Sequence, residues 1–288
     1  MKSVIVDRKG AELEVKRSGI VVDGQHIPFR LIDMLVLAAE TSMSSKTLLS
    51  ITKEHIPVLM MTKNSSHFCL TLPLEAKNGE LKMAQYASVA SRRLEFARYY
   101  LEEKVKSHAR HLGSLGISLE LQPWLEKIAQ AEKIGELLGL EGSFSRLYFK
   151  HYFSLLPAML HKKKRSKRPP EDPVNAMLSY LYTWFYHLIT ARLYLHGFDA
   201  ALSYLHEPFR SHNGLSSDML EVFRAEINRQ VFEWFMEKKL TLEDFSRKNG
   251  VWMRYESRKE LWPTLKSFSD ALSPRIDDEI ALLRSAII

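Results

Sequence analysis

The chain has 288 residues, enough for one large domain or two moderate ones. Hydrophobic residues make up 45% and aromatics 10%, which excludes a disordered chain. The formal net charge of +7 points to a polyanionic partner, most often nucleic acid, and the single cysteine, Cys69, excludes an internal disulfide and any Cys-x-x-Cys metal motif.

The first part, to about residue 73, has strand character. Short β-prone runs at 3–6, 12–16 and 20–22 are separated by Arg8-Lys9-Gly10 and Ser18-Gly19, and Asp23-Gly24 is the next turn. Leu13 and Val15 alternate with Glu12, Glu14 and Lys16, as on a half-exposed strand. Residues 34–38 read as a buried strand. Ser44 or Ser45 caps a short helix ending near His55. Residues 57–61 and 67–72 form a hairpin around Lys63-Asn64-Ser65, with Cys69 expected as a buried thiol acting as a small hydrophobe.

Residues 74–79 read as a linker, and from Glu80 onward the period is helical. In a long amphipathic run over 81–112, Tyr86, Val89, Ala90, Leu94, Ala97, Leu101 and Val105 mark one face. Arg92, Arg93, Arg98, Lys104 and Lys106 decorate much of the rest. Residues 115–140 give a further helix or two, broken by Pro123. Glu141-Gly142 reads as a turn, and a helix resumes over 143–155. HKKKRSKR, residues 161–168, is a basic segment that ends in the rigid turn PPEDP. The apolar window 176–195 contains His187 and Arg192, so it reads as a buried helix rather than a membrane span. A helix over 215–239, a loop with strand character over 244–258 and two short helices complete the chain. The fold class expected is α+β: a small N-terminal β-rich domain (1–73), a linker (74–79) and a larger all-α domain (80–288). The N-terminus lacks the apolar core of a signal peptide, and a cytoplasmic location is expected.

The stretch YLHEPFRSHNGLSSDMLEVFR, residues 204–224, gathers His206, His212, Asp218 and Glu221. With Ser216 and Ser217 as caps, a helix beginning near Asp218 carries its carboxylate and that of Glu221 on one face, at i and i+3. His206 lies in the loop before it. One imidazole and two carboxylates suit a divalent cation that accepts oxygen and nitrogen ligands. The plainer reading is an acid complementing the helix dipole beside a solvated Glu221. Glu141 has the same plain reading, and a basic run is most often a solvated loop. No GxxxxGK[ST] loop, GxSxG elbow or HExxH motif is present in the sequence.

Taken together, LEGSFSRLYF (140–149), RSKRPPEDPVNAMLSYLY (165–182), GFDAALSYLHE (197–207) and DMLEVFR (218–224) resemble the CRISPR-associated integrases of spacer acquisition, the "Cas-one" family. The resemblance is detailed over residues 85–258. It implies a β-rich dimerisation domain joined to a helical catalytic domain, and Mg²⁺ or Mn²⁺ held by Glu141, His206 and Glu221 with Asp218 also at the site. It implies that foreign DNA fragments are inserted as spacers into a CRISPR array by 3′-OH attack on a phosphodiester. It also implies a homodimer working on double-stranded DNA with a small ferredoxin-like second adaptation protein. Lys162, Lys163, Lys164, Arg165 and Arg168 are the expected phosphate contacts. Arg146 and Arg224 are placed to reach a scissile phosphate or to orient the carboxylates. Three departures from the family pattern are Ala200 for Pro, Gly214 for Ser and Ala225 for Pro. A general metal-dependent nuclease and a catalytically silent DNA-binding scaffold are the rival readings.

Overall fold

The computed structural model describes residues 2–62, 67–73, 78–207 and 212–288. The chain divides into two compact units. The first comprises Met1–Lys82, Thr190–Phe198 and Tyr255–Ile288, and the second Met83–Ile189 and Asp199–Arg254. The expected strand-rich region followed by a helical region is present.

In the first unit β1 (Lys2–Val6), β5 (Ile32–Leu37), β7 (Val58–Met61) and β8 (Phe68–Thr71) form one sheet in that order, with only β8 antiparallel to its neighbour. A second sheet has the order β4 (Gln25–Pro28), β3 (Gly19–Val22), β2 (Ala11–Lys16) and β6 (Thr41–Met43). The period of two in β2 is realised, since Ala11 and Leu13 are buried and Glu12 and Glu14 exposed. These residues join Val6, Ile20, Leu35, Leu37 and Val58 in one core, under which α1 (Ser45–Lys53) packs Ile51. Ser44 is the N-cap, its Oγ accepting from Thr47 N–H at 3.0 Å. The strand pair expected at 57–61 and 67–72 is present, while its turn at 63–65 and residues 74–77 of the linker lie outside the described residues. Cys69, on the edge strand β8, is exposed rather than buried.

α2 (Gly79–Ser114) opens on Asn78, whose Oδ1 accepts from Leu81 N–H at 2.9 Å. Its buried face differs from the expected stripe. Tyr86 and Ala90 are exposed, and Gln85 and Ser88 are buried instead. Arg92, with φ −124° and ψ 15°, interrupts the helix and resets its phase, after which Phe96, Ala97, Tyr100, Leu101, Lys104, Val105 and His108 are buried.

In α3 (Gln122–Gln130) Pro123 sits in the first turn and starts the helix rather than breaking it. α4 (Ile134–Ser154) runs straight through Glu141 and Gly142, where a turn was expected. α5 (Pro173–Leu195) is largely buried, and among the described residues no helix is long and apolar enough to cross a membrane. α6 (Gly214–Met236) begins four residues before Asp218, so Ser216 and Ser217 are buried first-turn residues and not caps. β9 (Phe245–Arg247) and β10 (Val251–Met253) pair as a hairpin. α7 (Tyr255–Ile287) replaces the two short helices expected. Its buried face, Leu261, Leu265, Leu272, Ile276, Ile280 and Leu283, continues past Pro263 and Pro274. α7 belongs to the first unit, where Asp270 Oδ1 accepts from Ser3 N–H at 3.2 Å and Tyr255 O–H donates to the Asp7 carbonyl at 2.7 Å. The compact division therefore differs from a single boundary near residue 73.

Candidate metal and nucleic-acid site

All the residues of the site lie in the second unit. α2 contributes Lys104, α4 Glu141, α6 Asp218, Glu221 and Arg224, and the segment before α6 contributes His206. Residues 202–207 of that segment have no regular structure, so their backbone must be held by side chains. Asp218, fully buried, does most of this. One carboxylate oxygen accepts from Tyr204 N–H at 2.6 Å and Leu205 N–H at 3.0 Å. The other accepts from His206 N–H at 3.0 Å and stands 2.7 Å from His206 Nδ1. α2 holds the same segment from the other direction. Arg93 donates to the carbonyls of Tyr204 and His206 at 2.9 and 3.3 Å, and Ser88 Oγ meets Tyr204 O–H at 2.7 Å. With Nδ1 engaged, His206 presents Nε2, which lies 3.8 Å from Glu221 Oε1.

Between the two glutamates stands the ammonium of Lys104. It forms a close ion pair with Glu141 Oε1 and lies 2.8 Å from Glu221 Oε2. Arg224 Nε lies 2.8 Å from the same Glu221 oxygen, and its guanidinium is 4.3 Å from the centre of the Tyr182 ring. Tyr182 is fixed in turn by a 2.5 Å hydrogen bond to Asn228 Oδ1. Lys104 and Glu221 are 3% and 2% exposed, so each charge survives burial only through its partners. Burial works to raise the Glu221 carboxyl, but Arg224, Lys104 and His206 outweigh it and hold it well below the ordinary carboxylate range. Burial likewise opposes charge on Lys104, and Glu221 and Glu141 reverse that, leaving its pKa raised. For His206 burial lowers the pKa, while the hydrogen bond to Asp218 and the Glu221 charge raise it above its ordinary value. His108, buried one turn beyond Lys104, is pushed down to about 3 by burial and by the Lys104 charge, and is neutral.

These groups open on a cavity of about 500 Å³. Of the residues singled out in the sequence, Glu141, His206, Glu221, Arg146, Lys163, Lys164, Arg165 and Arg224 line it. Asp218, Lys162 and Arg168 do not. Asp218 is spent on the backbone and on His206, and so acts through the imidazole. His212 stacks on Tyr186 at 5.6 Å and sits 3.0 Å from Ser217 Oγ, outside the cavity lining. Arg165 is tied down, donating to Asn175 Oδ1 at 2.9 Å and Ser179 Oγ at 3.0 Å. The cavity also carries Lys104, His108, Lys150, Lys167 and Tyr182, which sequence reasoning did not place there. For Lys104 one signal was present: it shares the helical phase of Tyr100, Leu101 and His108, a cation within a buried stripe.

One imidazole nitrogen and two carboxylates make a donor set suited to Mg²⁺ or Mn²⁺ rather than to a structural zinc site. Among the described residues no three such groups stand at ligand spacing, and the Lys104 ammonium lies between the two carboxylates. The positive charge there is itself evidence of fit, since the pocket already accommodates a cation against both glutamates.

The model of the family described as CRISPR associated protein Cas1 matches residues 3–266. A CRISPR-associated endonuclease Cas1 of Thermodesulfovibrio yellowstonii is 29% identical over 287 residues, covering 91% of this chain and 90% of the relative. A CAS1 protein from Thermotoga maritima has the same fold, with a TM-score of 0.90 at 19% identity over 100% of this chain and 97% of that one. A casposase bound to integration product aligns with a TM-score of 0.80 at 22% identity, over 94% and 83% of the two chains. A family match over nearly the whole length, together with the helical unit that carries Glu141, His206 and Glu221, places this chain in the Cas1 family of CRISPR-associated proteins.

Proposed function

We propose that the chain is a metal-dependent DNA integrase and endonuclease that inserts DNA fragments as spacers into a CRISPR array. The observation that carries this reading is the meeting of Glu141, His206 and Glu221 at one cavity whose rim is cationic. His206 Nε2 and the two glutamates would hold Mg²⁺ or Mn²⁺. When bound, such an ion polarises a phosphoryl oxygen and favours an attacking hydroxyl. Arg146, Lys163 and Lys164 approach backbone phosphates, and Arg224, braced on Tyr182, faces the scissile group. The 3′-OH of the fragment is the nucleophile. Its oxygen forms the new P–O bond at the repeat edge, the original P–O bond breaks, and the displaced 3′ oxygen leaves with a proton. Water in place of the 3′-OH makes the same chemistry hydrolysis.

Family membership and the integration product held by the similarly folded casposase support DNA as the substrate. On this reading residues 1–73 serve dimerisation, residues 80–288 contain the catalytic unit, and a small ferredoxin-like second adaptation protein completes the assembly. The test uses a 3′-OH fragment, a supercoiled plasmid bearing leader and repeat, and Mn²⁺, with the partner protein present. Glu141→Ala, His206→Ala and Glu221→Ala abolish joining while DNA affinity stays within a few-fold of the parent. A His206→Ala protein that joins DNA as the parent does overturns the reading.

A further inference from the structure

Lys104 lines the cavity, and a metal site does not call for its presence. Its ammonium contacts both glutamates proposed to hold the ion, at 4% side-chain exposure, far from the solvated rim where a DNA-binding lysine would stand. A divalent cation held by His206 Nε2, Glu141 and Glu221 would share both carboxylates with Lys104, which engages Glu141 Oε1 and Glu221 Oε2, and two positive charges against one pair of carboxylates in a buried setting repel strongly. Without any cation the reverse problem arises, since Glu141 and a 2% exposed Glu221 would face one another with too little compensation. Arg224 does not replace Lys104, because it reaches Glu221 but has no ion pair with Glu141 among the described residues.

We propose that Lys104 is the built-in counter-ion of the two glutamates: its ammonium pairs Glu141 with Glu221 until a divalent cation binds, and it must withdraw from them when the ion arrives. The protein's own lysine thus competes with the metal, and the cavity of about 500 Å³ is the space into which its side chain moves. This inference rests on the metal reading of the site, and it makes ion affinity a difference between two cations rather than a property of the carboxylates alone.

The test compares the full-length protein with Lys104→Met, an unbranched side chain of similar reach that carries no charge. Mn²⁺ binding is followed by the electron paramagnetic resonance of the free ion, and thermal stability is recorded in EDTA and in Mn²⁺. The variant melts lower than the parent in EDTA and gains more from Mn²⁺. It binds Mn²⁺ at least about tenfold more tightly, since part of the cost of displacing a buried ion pair is removed. Equal or weaker Mn²⁺ binding by a folded variant overturns the proposal alone. Absence of Mn²⁺ binding in both proteins overturns it together with the metal reading.

Should Lys104→Met not fold in EDTA, the unaltered protein supplies the decision. Reductive methylation with mass-spectrometric readout leaves Lys104 unmodified in EDTA and modifies it once Mg²⁺ saturates the site, with the more exposed Lys106 as the internal reference. Protection of Lys104 that persists at saturating Mg²⁺ overturns the proposal.

Discussion

His206 Nδ1 stands 2.7 Å from Asp218 Oδ1, and the same carboxylate receives the backbone N–H groups of residues 204, 205 and 206. One side chain therefore sets both the course of the main chain and the face that the imidazole offers. Asp218→Ala leaves three N–H groups, two of them buried, without an acceptor, and a loss of roughly 2–5 kcal/mol is expected in denaturant unfolding. Asp218→Asn places an amide among N–H donors. It lowers Mn²⁺ affinity by roughly 10- to 100-fold without removing any proposed ligand, as measured by ion titration.

The basic segment separates into two kinds of cation. Arg165 is half-buried and hydrogen-bonded to Asn175 and Ser179, so Arg165→Gln costs about 2 kcal/mol in unfolding measurements. Lys163 and Lys164 are exposed at the cavity rim. Replacing both by Gln leaves stability within about 0.5 kcal/mol and flattens the plot of log affinity for duplex DNA against log salt by roughly 0.9 for each phosphate no longer neutralised. An unchanged salt slope removes this segment from the DNA interface.

Gly214 opens α6 against the segment that bears His206. A Cβ there would lie 2.5 Å from Ser203 Oγ and 2.6 Å from Ser203 Cβ, closer than packed atoms allow. Gly214→Ala is expected to destabilise by roughly 1–3 kcal/mol and to weaken Mn²⁺ binding, because Ser203 also donates to the His206 carbonyl at 2.7 Å. Ser203→Gly added to Gly214→Ala recovers part of the stability, measured as a double-mutant cycle.

Acid sensitivity follows from two imidazoles away from the cavity. Burial pushes His111 and His187 each down to about 4 from 6.5. The unfolded chain takes up these protons near pH 6.5 and the folded chain only near pH 4. Their contribution to stability is complete above about pH 6.5 and falls as the pH drops toward 4, by at most on the order of 3 kcal/mol for each imidazole. His111 Nδ1 sits 2.8 Å from Tyr148 O–H, which can donate to the neutral ring. His111→Gln removes one of the two protons, so the acid limb of melting temperature against pH becomes shallower. A limb of unchanged slope counts against this origin.

The strands of the first unit were legible because half-burial imposes a period of two, which Leu13, Glu12 and Glu14 display without help from distant residues. The i, i+3 relation of Asp218 and Glu221 was legible for the same local reason. Glu141 was not: Gly142 beside it reads as a turn, and only the packing of α4 keeps that glycine helical. Its pairing with Glu221 needed the family resemblance. Lys104 was read as surface charge because lysine is rarely buried, and its two partners lie 37 and 117 residues away in the chain. The interruption at Arg92 shifted the α2 face by a rotation that no composition announces.

The distance in sequence between Lys104, Glu141 and Glu221 also bears on synthesis. A ribosome must pass Glu221, and release the following turns of α6, before the second carboxylate can reach the first. Until then the emerging chain holds Lys104 and Glu141 but not the centre they share. A nascent chain therefore carries the cationic segment at 161–168 before the two carboxylates can meet, and the order of translation itself delays assembly of the candidate site.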